Sequence, residues 1–80
     1  EKLQISALFI EMQQFQEAIT ILKRMYEKEY NNSQVLFMLV QAYSQSEQYE
    51  NAIFLLNEWL DIYPNDKNAL DLLEIIKSFS

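Results

Sequence analysis

The residue types that usually do chemistry are sparse in this chain. Its 80 residues include no histidine, no cysteine and no glycine. The commonest general base, the thiol nucleophile and the usual transition-metal ligands are therefore missing. A glycine loop that cradles phosphate cannot be built either. Carboxylates remain: Glu58 with Asp61, and Asp71 with Glu74, stand at i, i+3, a spacing that sets both acids of a pair on one helix face. Such a pair could exchange protons or hold a cation. No other feature supports that use, and solvated helix faces carry the same pattern. The expectation is no enzyme, no cofactor and no metal.

Net charge is −6, from twelve acidic and six basic residues. Lys23, Arg24 and Lys28 form the basic cluster, diluted by Glu27 and Glu29, and from Glu47 onward seven acids face Lys67 and Lys77. Nucleic-acid affinity rests largely on neutralising phosphates, so no nucleic-acid partner is expected. The longest apolar run, Val35 to Val40, is six residues, far short of the roughly 20 that a membrane span needs. Glu1 is not followed by a basic start and an apolar stretch, so no signal peptide is visible. A start without methionine is what an excised fragment or processed chain shows. The compartment is not identified, and a soluble, cytoplasmic setting is the default expectation.

The elements that would position any site follow from composition and period. Hydrophobic residues make up 50% of the chain, which supports a core, and Pro64 is the one proline. Tight β turns usually require glycine, whereas Glu, Gln, Leu, Ala, Lys and Met favour helix. The fold class is therefore all-α. A shift of 34 carries Ile5 onto Leu39, Phe9 onto Tyr43, Phe15 onto Tyr49, Ala18 onto Ala52, Ile19 onto Ile53 and Leu22 onto Leu56. A second shift carries Leu36 onto Leu70 and Leu39 onto Leu73. Such a period marks repeated supersecondary units.

Within the middle unit, Leu36, Leu39, Val40 and Tyr43 form one helical stripe, and Tyr49, Ala52, Ile53, Leu56, Trp59 and Leu60 form another. Neither helix can bury its stripe alone, so the two pack as an antiparallel hairpin. Small Ala52 admits a close crossing. Pro64 stops the second helix, and Asn32 or Ser33 and then Asp66 can cap the helices that follow them. Five helices are predicted, at about 2–12, 15–29, 33–46, 49–62 and 67–79. The last should cover the second hairpin with Leu70, Leu73 and Ile76 while Glu74 and Lys77 face out. Tyr26 and Tyr30 should staple the joint between repeats.

On these residues the chain resembles the tetratricopeptide repeat family. The family pattern of Trp, Leu, Gly, Tyr, Ala, Phe and Pro is matched in position by Leu36, Leu39, Val40, Tyr43, Ala52, Leu56 and Pro64. The first repeat offers Lys2, Ile5, Ser6, Phe9, Ala18, Leu22 and Tyr30, and the third Leu70, Leu73, Glu74 and Lys77. Val40 and Glu47 stand where the family has glycine, and Met25 and Trp59 where it has alanine. The resemblance implies one domain over 1–80: repeat 1 at about 1–32, repeat 2 at about 33–66, and a C-terminal helix at about 67–79. It also implies hairpins stacked as a right-handed superhelix.

The resemblance further implies a protein–protein interaction module that scaffolds an assembly, with a protein or peptide partner held in the concave groove formed by the first helix of each pair. Turning about 100° per residue places Phe37, Gln41 and Ser44 on that surface, with Gln34 and Gln45 beside them. Leu3, Ala7 and Ile10 come from the first helix, and Asp71 and Ile75, with Ser78, from the last. The groove would be mainly apolar and edged by glutamine. The family's charged-groove subtype grips acidic chaperone tails with lysine, asparagine and arginine; at Leu3, Ala7, Met38, Asn68 and Leu72 that clamp is absent. The alternative reading is a homo-oligomerisation or spacer segment of a larger protein, so self-association stays open.

Overall fold

Helix ends explain most of the architecture. The computed structural model describes residues 2–28 and 32–79, with side chains from Gln4 onward. Among them are five helices and no strand: α1 (Lys2–Glu11), α2 (Phe15–Lys28), α3 (Ser33–Gln45), α4 (Tyr49–Ile62) and α5 (Lys67–Phe79). Asn32 starts α3: its Oδ1 accepts from the backbone N–H of Gln34 at 3.0 Å and of Val35 at 3.4 Å. Asp66 starts α5, where its Oδ1 accepts from the Ala69 N–H at 3.2 Å. Both caps satisfy amides that a helix start would otherwise leave unpaired.

The two hairpin turns are built alike, 34 residues apart. Gln14 N–H donates to Phe9 C=O at 2.8 Å and Gln13 N–H to Ile10 C=O at 3.0 Å. In the second hairpin Gln48 N–H donates to Tyr43 C=O at 2.7 Å and Glu47 N–H to Ser44 C=O at 3.1 Å. This nested pair is the Schellman closure, which needs one residue in the left-handed region. Gln13 and Glu47 occupy it, with φ of 61° and 63°. Each carries a Cβ where glycine would carry none, at a cost of about 1 kcal/mol.

Each helix packs on its neighbour in sequence, and α1 also meets α3. Leu22, Val35, Leu36, Leu39, Val40, Leu56 and Ile76 are fully buried or nearly so, and alanines 18, 42, 52 and 69 are completely buried. The alanines leave the room that lets those larger side chains interlock. Ser6, also fully buried, is the small residue of α1. Phe9, Phe15, Met25, Tyr26 and Tyr49 are half-buried against this core. Tyr30, expected beside Tyr26, lies outside the described residues.

Two expected core residues are not core. Ile5 is 47% exposed although its counterpart Leu39 is buried, because Leu39 sits under the preceding α2 and no described helix precedes α1. Leu70 is 42% exposed, and the buried stripe of α5 is Ala69, Leu73 and Ile76 instead. Its counterpart Leu36 belongs to a helix packed by α1, α2 and α4, whereas α5 packs chiefly on α4.

The α4–α5 joint has a polar tie. Trp59 is 3% exposed, and its indole N–H donates to Asp66 Oδ2 at 2.8 Å. One carboxylate therefore caps α5 and satisfies a buried donor on α4. The Tyr63 ring lies 4.6 Å from the indole.

Two outcomes are expected. Glu47→Gly should raise stability by about 0.5–1 kcal/mol, because relief of the left-handed Cβ outweighs the added freedom of the unfolded chain. A urea melt with an unchanged or lower midpoint would contradict it. Asp66→Ala should cost about 2 kcal/mol, combining the lost cap with a buried indole donor left without its acceptor. Its tryptophan emission should also shift to the red, and a variant that melts and emits like the parent would refute this account of the joint.

Candidate functional site

The residues expected on the binding face come from α1, α3 and α5. On α3, Gln34, Gln41 and Gln45 are exposed, and Ser44 is half-buried. Phe37 is half-buried too and packs against the core, so it is not the free surface ring that its off-stripe position suggests. On α5, Asp71 is exposed and Ile75 is 52% exposed. On α1, Ala7 is half-buried, and the side chain of Leu3 lies outside the described part. Ile10 requires correction: at 6% exposure it belongs to the core, because α1 docks on both α2 and α3. Met38 and Leu72, read from the resemblance as inner-groove positions, are also half-buried against the core.

The well-formed hollow lies on the other side of α3. Its floor is Leu39 and Tyr43, and one wall is Lys23, Tyr26 and Glu27 of α2. The opposite wall is Phe54, Leu55 and Glu58 of α4, and the volume of this half-open hollow is about 480 Å³. At about 100° per residue, Leu39 and Tyr43 point nearly opposite to Phe37 and Gln41. The sequence signal for this place was Phe54, which falls off the buried stripe of its helix. The partner wall comes from the previous repeat and is invisible to any pattern within one helix.

Burial pushes the Tyr26 phenol above its ordinary pKa, and the nearby Glu58 carboxylate and then Tyr63 add to that rise. Burial likewise raises Tyr43. Among the described residues, no three potential ligands converge on a metal position. The pairs Glu58 with Asp61 and Asp71 with Glu74 are all exposed. No described helix is long and apolar enough to cross a membrane.

Helical hairpins recurring every 34 residues, each closed by the same kind of turn, define a helical repeat protein. Residues 9–76 match the family described as Tetratricopeptide repeat. This chain belongs to that family. Neither a curated protein nor a solved structure matches it. The family is typically a non-enzymatic module that mediates protein–protein interaction.

The electrostatics of the hollow can be checked by titration. Glu58→Gln should lower the Tyr26 pKa back toward its ordinary 10.0, since one negative neighbour is removed while burial stays. A phenol harder to ionise in the folded state stabilises the fold below the unfolded pKa near 10, and that contribution is lost as pH rises through the folded pKa. With a smaller shift, the variant should therefore lose less stability across that alkaline window than the parent does. An unmoved tyrosine titration followed by ultraviolet difference absorbance would show that Glu58 does not act on Tyr26.

Proposed function

We propose that the face formed by α1, α3 and α5 holds a protein or peptide segment and so scaffolds an assembly. The observation that carries this reading is the exposed row of Gln34, Gln41 and Gln45 beside half-buried Phe37 on α3, with Ile75 half-exposed on α5. Family membership supports it, since the first helix of each pair lines the inner side of such arrays. Amide side chains can hold the backbone of a bound segment while apolar side chains enter between them. Asp71 and the absence of basic residues at these inner positions make the face unsuited to acidic tails. Ile10 takes no part, being core.

A second reading, self-association, rests on a separate feature. Ile5 and Leu8 on α1, and Met12 in the turn just past its end, are each about half exposed. Contiguous apolar surface of this kind marks contacts.

The paired substitution Gln41→Lys with Ile75→Glu tests the first reading, because both side chains are exposed and the fold should melt as before. Capture of the partner in a pull-down should fall tenfold or more. Undiminished capture by a normally folded variant removes the face from consideration. Light scattering at rising concentration decides the second reading: a mass that climbs in the parent but not after Leu8→Glu supports it, and a constant monomer ends it.

A further inference from the structure

The hollow between α2 and α4 comes with an internal control. A smaller hollow of about 280 Å³ is lined by Ile5, Thr20, Ile21 and Arg24. Adding 34 to each number gives Leu39, Phe54, Leu55 and Glu58, all of which line the larger hollow. The two are the same place in successive repeats. Positions that serve packing keep their character, as Ile5 and Ile21 become Leu39 and Leu55. The other two do not: Thr20 becomes Phe54 and Arg24 becomes Glu58. The hairpin thus forms without an aromatic ring or a carboxylate at these positions. Phe54 is 64% exposed and contributes little to the core, so the fold does not account for its presence.

The remaining wall supplies matching chemistry. Tyr26 adds a ring to those of Phe54 and Tyr43, and Glu27 adds a second carboxylate, while Lys23 is the one cation of the lining. Two carboxylates against one ammonium leave the lining with one net negative charge. The influence of Glu58 on Tyr26 sets this carboxylate close to the phenol. A flat cation that is weakly hydrated, stacks on rings and pairs with carboxylates fits such a lining, and guanidinium has all three properties. The acidity of the chain from Glu47 onward would draw a basic surface toward it.

We propose that this hollow binds an arginine side chain of a partner protein, its guanidinium set against Phe54 and Tyr26 and held by Glu27 and Glu58. The site is separate from the α1, α3 and α5 face and stands or falls without it. The equivalent hollow of the first repeat repels the same group, because Arg24 occupies the place of Glu58.

The experiment is a titration of the isotope-labelled chain, followed by amide chemical shifts, with an acetylated and amidated Ala-Arg-Ala peptide. The neutral isostere Ala-citrulline-Ala is the control. Arginine peptide should move the amides of Tyr26, Phe54 and Glu58, with binding weakened by salt, and the citrulline peptide should bind at least tenfold more weakly. Phe54→Thr with Glu58→Arg, which copies the first hollow into the second, should reduce binding at least tenfold with an unchanged melt. Should that variant fail to fold, Glu58→Gln alone decides, with a severalfold loss expected. Equal binding of the citrulline peptide, undiminished binding by the folded variants, or shifts confined to Phe37 and Gln41 would each overturn the assignment.

Discussion

Val35, Leu36, Leu39, Val40, Ala42 and Tyr43 of α3 are all buried, and they are spread too widely around the helix for one neighbour to cover them. α1, α2 and α4 have to close on α3 together. Burying a large apolar side chain is worth about 1.5–3 kcal/mol, so the interior of α3 is the largest single reason for the chain to fold. The placement of the other helices follows from that demand. Alanines 18 and 52 sit on α2 and α4 and are fully buried, which is where small side chains let their helices come close. α5 then covers what α4 still exposes, chiefly through Leu73 and Ile76.

The same demand fixes the turns. Helices in a hairpin must reverse within a few residues, and the tightest closure uses the left-handed region. The chain has no glycine, so Gln13 and Glu47 take that conformation with a side chain attached. Packing around α3 outweighs a local preference of about 1 kcal/mol at each turn. At the α4–α5 junction the chain uses Pro64 and a side-chain cap instead, and Asp66 does two jobs there.

Five helices, their order and their ends were legible in the sequence, because stripes and caps are local signals. The bounds differ from expectation by one residue at the ends of α1 and α3, and the expected last residue of α2, Glu29, lies outside the described residues. Asp66 as a cap was legible; its bond to the Trp59 indole was not, since it depends on the path of the loop between them. Ile5, Leu70 and Ile10 misled for one reason. A stripe tells which residues share a face, and only the neighbouring helices decide whether that face is covered. Ile10 gained a neighbour, while Ile5 and Leu70 have too few. Phe54 was visible as an anomaly within α4, yet its hollow needed Tyr26 and Glu27 from the preceding repeat. Of the residues expected on the binding face, the glutamines and Ile75 are exposed as the pattern implies, whereas Phe37 and Ile10 are more deeply set than the pattern showed.

Nearly every packed pair of elements is adjacent in sequence, and this shapes how the molecule assembles. Bringing such neighbours together closes short loops, which favours rapid folding over slow search. A stack held by neighbour contacts loosens from its ends. The amides of α3, packed by three helices, should therefore exchange with solvent last, and α5, which packs chiefly on α4, should open and reclose ahead of them. The single tryptophan of the chain lies at that seam, so its fluorescence reports the breathing of one helix against an otherwise intact molecule.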